Sequence, residues 1–153
     1  SGGGFVPADD LRPKKDILMT ITICGSIKFI DQMISVQKVL EKAGHKIYMP
    51  VKAPGVDYWE KDNSKRVIAK RGLGLIEKHL DKIEISDAIL VVNVDKLRKK
   101  NYVGANTFTE ICFAHYRKKK IYFLNPIPRQ SYILDELQSI DPIILNGDLS
   151  LIK

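Results

Sequence analysis

The sequence is poor in anything that would staple it together from outside a core. Only two of its 153 residues are cysteine, Cys24 in Ile21-Thr22-Ile23-Cys24 and Cys112 in Glu110-Ile111-Cys112-Phe113-Ala114. Neither has a partner at metal-ligand spacing, so a disulfide scaffold or a cysteine zinc site is not indicated. A reduced, cytoplasmic protein is the simplest expectation. Apolar runs such as Ala88 to Val92 fall far short of the roughly 20 residues that span a bilayer, and no basic-then-apolar segment opens the chain. No membrane role is expected. There is no Walker A sequence, no His-Glu-x-x-His pair and no internal repeat. Arg71-Gly72-Leu73-Gly74-Leu75 lacks the third glycine of a dinucleotide fingerprint and does not follow a strand, so it reads as a helix break.

What is present is the composition of an ordinary globular domain, 44% apolar and 28% charged. A chain of about 150 residues buries roughly 68–70% of the surface its unfolded form exposes, enough for a core without staples. Residues 1–18, with Ser1-Gly2-Gly3-Gly4, Pro7 and Pro13, read as an upstream tail, and 19–153 as one domain. Twenty-five Lys and Arg against 18 Asp and Glu give a net charge of +7. That balance favours anionic partners: nucleotides, phosphorylated metabolites or nucleic acid.

From Thr20 short apolar runs alternate with segments of helical period. Strands are predicted over Thr20–Gly25, Lys46–Met49, Asp87–Val94, Lys120–Leu124 and Pro142–Leu145. Phe29, Met33, Val36, Leu40 and Ala43 recur at spacings of three and four, a helix whose apolar stripe ends at Gly44. Further helices are predicted from Ser64 to Ile85, broken near Gly72 and Gly74, from Thr107 to about Lys118, and from Ser131 to Ile140. Val51 to Asn63 reads as a loop and a candidate lid carrying Asp57, Tyr58 and Trp59. Strands alternating with helices imply right-handed crossovers and a three-layer, doubly wound α/β fold, flavodoxin-like or Rossmann-like, with strand order 2-1-3-4-5. Ligands of such sheets bind at the carboxyl ends of the strands where the order reverses.

That rule singles out three segments. In Cys24-Gly25-Ser26-Ile27-Lys28 the glycine permits a tight turn, and amides, a hydroxyl and an ammonium could hold a phosphate or a sugar; the plainer reading is a turn with Ser26 as cap. Asn93 and Asp95 end the third strand. Thr107-Phe108-Thr109-Glu110 has the form of a capping box, and it also puts a carboxylate in the first helical turn, where attack at an anomeric carbon could be staged. His45 and His115 read as surface residues, while His79 depends on which way its helix faces. Arg98-Lys99-Lys100 and Arg117 to Lys120 read as solvated faces; Tyr102, Tyr116 and Tyr122 interleave too loosely for a nucleic-acid surface.

Together Ile21 to Ser26, Asp87 to Asn93, Tyr102 to Ala114 and Lys120 to Pro126 resemble the nucleoside 2-deoxyribosyltransferase superfamily, which includes the deoxynucleoside 5′-monophosphate N-glycosidases. The resemblance runs in order from about Thr20 to Leu145, and its most specific piece is a Gly-x-x-Thr-x-x-Glu stretch before a small-residue helix. It implies N-glycosidic bond cleavage or transfer on a nucleoside or its 5′-monophosphate, with Glu110 as the nucleophile that forms a covalent ribosyl intermediate. It also implies that Gly25, Ser26 and Lys28 contact the sugar or 5′-phosphate, with Lys where phosphate-using members carry Arg; the charge stays and the bidentate fork is lost. His79 stands where relatives carry an aspartate, and Gly104 stands where the transferases carry another. A histidine there could act as a general acid or position the sugar. Asn93, Asp95 and Asn106 are further candidates for hydroxyl contacts, and Tyr58 or Trp59 for stacking on the base. The resemblance implies no metal or organic cofactor and a homodimer or larger homo-oligomer. The alternative is a nucleotide-binding, regulatory protein of the same fold without catalysis.

Overall fold

The computed structural model describes residues 17–153, so the reading of residues 1–16 as a tail lies outside the described residues. The sheet is five-stranded and wholly parallel, in the order β2-β1-β3-β4-β5. Its strands are β1 (Thr20–Cys24), β2 (Lys46–Tyr48), β3 (Ala88–Val91), β4 (Lys120–Phe123) and β5 (Ile143–Ile144). Between them run α1 (Ile30–Lys42), α2 (Ser64–Leu73), α3 (Leu75–Glu84), α4 (Ala105–Tyr116) and α5 (Leu134–Ile140). This is the α/β architecture and strand order that the alternation predicts.

Period two along β1 sorts its side chains between two cores. Ile21 and Ile23 point to the face covered by Met33, Val36 and Leu40 of α1, while Cys24 joins Ile83 of α3, Ile111 and Ala114 of α4 and Leu137 of α5 on the other. β3 is buried at every residue, as a central parallel strand covered by helices on both faces must be. Side-chain bonds fix the foot of α3: Thr22 Oγ1 and Ser86 Oγ lie 2.7 Å apart, and Ser86 Oγ donates to the Lys82 carbonyl at 2.7 Å.

The long helical segment does break, at Gly74, which takes φ 59°, ψ 40° and thereby ends α2 and turns the chain into α3. Elsewhere the boundaries differ. The helix expected from Thr107 starts at Ala105, with Gly104 as an extended N-cap that makes no side-chain bond. Thr107 is therefore a buried residue inside the first turn, Glu110 sits in the second, and there is no capping box. His45 is also corrected: it is 8% exposed, with its backbone N–H on the Leu40 carbonyl at 3.1 Å. Gly44, at φ 104°, turns the chain inward just before it. His115 is exposed, as expected.

Candidate functional site

Three side chains from three elements converge where β1 ends. Cys24 is the last residue of that strand, His79 is one of two buried residues of α3, and Glu110 projects from α4. The Cys24 Sγ to His79 Nε2 distance is 3.6 Å, and that from His79 Nε2 to Glu110 Oε2 is 3.3 Å. The second contact is within ion-pair range but poorly directed, so Glu110 Oε2 is buried without a hydrogen-bond partner. His79 Nδ1 is buried and unpartnered too. Such atoms cost the fold about 1–3 kcal/mol each; among the described residues there are three, His45 Nδ1 and the two at this carboxylate and the imidazole beside it. Burial pushes the Cys24 thiol well above its ordinary pKa, and the charge and hydrogen bond of Glu110 push it further. Cys24 is a neutral thiol packed under the pair, not a nucleophile. One sulfur, one nitrogen and one carboxylate oxygen within 4.8 Å of one another could also hold a borderline-soft cation such as zinc.

The pair forms part of the wall of a cleft of about 400 Å³ at the carboxyl edge of the sheet. Among the described residues five cations line it, Lys28, Arg66, Lys70, Lys78 and Lys82, against the single carboxylate of Glu110. Among the described residues none of the five is in an ion pair. Arg66 donates to the Glu60 and Asp62 carbonyls, and Lys82 to the Met49 carbonyl at 2.7 Å. Carbonyls position these groups without cancelling their charge. Lys28 is pushed down to about 8 by burial and then by Lys96, Arg66 and Lys99. Burial and Arg66 likewise lower Lys70, which Glu110 partly offsets. Gly104, Ala105, Asn106 and Thr107 bring the N-terminus of α4, capped by no side chain, to the same cleft, adding the positive end of a helix dipole.

Of the residues expected from the sequence, the cleft brings together Glu110, His79, Gly25, Ser26, Lys28, Asn106 and Tyr58. Gly25 is there for space: a Cβ would lie 3.0 Å from Met33 Sδ and 3.2 Å from the Val92 carbonyl oxygen. Ser26 makes no capping hydrogen bond, so the plainer reading of it as a cap does not hold. The Tyr58 hydroxyl accepts the Ala53 N–H at 3.0 Å, pinning the loop expected to be a lid.

Asn93, Asp95 and Trp59 are not among the lining residues. Asn93 clamps the end of β3 to the turn after β4: its amide donates to the Asn125 and Pro126 carbonyls, and its Oδ1 accepts the Asn125 N–H at 3.0 Å. The Asp95 carboxylate accepts from the Asn101 N–H at 2.9 Å and from Lys100 Nζ at 3.0 Å. Trp59, half exposed, stacks edge-on against Phe29, with Lys28 Nζ 5.0 Å from its ring centroid.

Sequence reasoning missed Arg66, Lys70, Lys78, Lys82, Tyr102 and Thr109 of the cleft. The first four form two pairs four residues apart, each pair on one helical face; that spacing was the available signal. Gln130 was missed as well. Its side-chain amide exchanges hydrogen bonds with both backbone groups of Val103, at 2.8 and 2.9 Å, and so sets the chain just before Gly104.

No family model and no curated protein matches the chain. Among solved structures it is similar to one titled the CMP N-glycosidase BcmB of Clostridium botulinum, at 15% identity and a TM-score of 0.45, over 82% of this chain and 84% of that one.

Proposed function

We propose that this protein cleaves the N-glycosidic bond of a nucleoside 5′-phosphate, with Glu110 as nucleophile. The observation that carries the reading is Glu110, its Oε2 buried and without a hydrogen-bond partner among the described residues, in a cleft whose other charged side chains are cations. With Oε2 turned to His79, the other carboxylate oxygen, Oε1, forms a bond to the anomeric carbon as the carbon–nitrogen bond breaks; the electron pair leaves with the base, which takes a proton from solvent. Water then attacks the same carbon, loses a proton to solvent and returns Glu110 as a carboxylate. A second base in place of water would make the reaction a transfer.

His79 is a positioning residue in this scheme. Carboxyl groups on opposite sides of a sugar in retaining hydrolases stand about 5–5.5 Å apart, whereas His79 Nε2 is 3.3 Å from Glu110 Oε2. It sets the direction of the carboxylate rather than facing it across the ring. Gly25, Ser26 and Lys28, with Arg66 and the N-terminus of α4, hold the phosphate and sugar; Asn106 and Tyr58 border the remainder. Assembly as a homo-oligomer belongs to the same reading, and Val67, Ile68 and Leu73 of α2 are exposed apolar side chains open to contact.

The second reading, a nucleotide binder without catalysis, is favoured by Gly104, the position where the transferases it resembles carry a carboxylate. The Tyr102 ring and hydroxyl lie 3.4 Å from where a Cβ would stand there. Chromatographic detection of free base from ribo- and deoxynucleosides and their 5′-monophosphates separates the two. Base release by wild type that falls about a thousandfold or more, about 4 kcal/mol, in a folded Glu110→Gln variant supports the glycosidase. Nucleotide binding without release in either protein supports the binder.

A further inference from the structure

The turn between β3 and α4 is a built feature that the scheme above leaves unused. Lys96 and Lys99 form an antiparallel bridge, each N–H on the other's carbonyl at 2.9 Å. The turn is closed from below by the two hydrogen bonds to Asp95 and by the Tyr102 N–H on the Val94 carbonyl at 3.0 Å. Leu97 and Asn101, neither a glycine, both take φ 54° to make it, a conformation that costs non-glycine residues energy. The outcome is two ammonium groups over one ring: Lys96 Nζ is 4.6 Å and Lys99 Nζ 5.4 Å from the centroid of Tyr102, a residue of the cleft wall. The only ion pair in the turn takes Asp95 to Lys100, so Lys96 and Lys99 are left without one among the described residues.

Lys28 and Arg66 line the cleft with Tyr102, and the charges of Lys96, Arg66 and Lys99 all act on Lys28; the turn's own carboxylate, Asp95, is taken by Lys100 and the Asn101 N–H. The crowding of these cations is what lowers Lys28 beyond the effect of its burial. A monophosphate carries at most two negative charges, since the second ionises near pH 6; that leaves much of the cluster unanswered once Lys28, Arg66 and the α4 amides have engaged it. A ring with two ammonium groups within 5.4 Å of its centroid offers a base little room to stack, which disfavours an oligonucleotide.

Resting on the proposed function, we propose a second anion subsite at the rim of the cleft, formed by Lys96 and Lys99, which are not lining residues themselves but hold their ammonium groups against the lining residue Tyr102, and that the substrate class is a nucleotide carrying a pyrophosphate group, such as a nucleoside diphosphate. The first phosphate lies at Ser26, Lys28 and the N-terminus of α4, and the second at the turn.

The test is titration calorimetry with inorganic phosphate and pyrophosphate, alongside base release from nucleoside mono- and diphosphates, for wild type and for Lys96→Ala/Lys99→Ala and Lys96→Gln/Lys99→Gln. Wild type binds pyrophosphate at least tenfold more tightly than phosphate, and kcat/KM for the diphosphate exceeds that for the monophosphate. Both advantages disappear in the double variants, whose circular dichroism matches wild type and whose monophosphate turnover is within about twofold of it. Equal binding of the two anions by wild type, or an advantage that survives both variants, overturns the subsite while base release from monophosphates keeps the glycosidase. Pyrophosphate preference that is lost in the variants, with no base released from any compound, keeps the subsite and removes the reaction. An oligonucleotide that binds more tightly than pyrophosphate through the same two lysines overturns it in favour of a nucleic-acid surface.

Discussion

The two basic runs are alike in composition and opposite in treatment. Arg117 to Lys120 leads into β4 at the amino edge of the sheet, and there three of the four side chains are tied down locally: Arg117 pairs with the Glu84 carboxylate, Lys119 Nζ donates to the Glu84 carbonyl at 2.8 Å, and Lys120 Nζ to the Lys153 carbonyl at 3.2 Å. Lys96 to Lys100 leaves β3 at the carboxyl edge, and only Lys100 is paired. Around it Lys28, Arg66, Lys70, Lys78 and Lys82 surround one carboxylate. A protein gains little stability from crowding like charges, so the carboxyl edge, where cations crowd one carboxylate, is the one we propose as arranged for a ligand.

Among changes to the two sets of cations, the largest expected effect comes from reversing charge at the carboxyl edge. Arg66→Glu lowers kcat/KM for a nucleoside phosphate by about 100-fold, the scale of a lost charge-assisted bond plus repulsion, mainly through KM; an unchanged KM would break the contrast between the edges. Next, His79→Gln lowers kcat about tenfold to 100-fold with little change in KM; a shift in melting temperature alone, with kcat unchanged, would make the residue merely structural. Adding a chelator to wild type leaves turnover intact, whereas a loss restored by zinc would assign the Cys24, His79 and Glu110 cluster to a metal.

Gly25→Ala destabilises by about 1–3 kcal/mol, read by denaturant titration, because its Cβ meets Met33 and the Val92 carbonyl. For Lys28 the sign follows from its depressed pKa of about 8. A bound phosphate draws that pKa back toward the ordinary value, so binding near pH 8 takes up a proton and affinity falls as the pH rises above it. Calorimetry in buffers of different ionisation enthalpy measures the uptake, and no uptake contradicts the crowded cluster. Smallest of all, Arg117→Ala at the amino edge leaves kcat/KM unchanged.

The sheet was legible because β3 is a continuous apolar run and α1 carries a clean stripe, and both signals come from burial. Glu110 was legible from its motif, although its helical position was not: Gly104 can cap a helix through extended backbone with no side-chain signature. The cations of α2 and α3 were not legible, since a sequence shows two i,i+4 pairs without showing that both helices turn those faces toward one cleft. Asn93 and Asp95 were misplaced for a related reason. Their position at the strand end is right, but the backbone groups that claim their side chains come from Asn125, Pro126 and Asn101, and Asn125 and Pro126 lie more than 30 residues away.

The most direct test of a nucleophilic Glu110 is the intact mass of enzyme acid-quenched during turnover of a nucleotide that releases base, with peptide mapping of any adduct. The account predicts a mass increase equal to the sugar phosphate, located on the peptide containing Glu110 and absent from Glu110→Gln. Base release with no adduct, together with substantial turnover by Glu110→Gln, would contradict it.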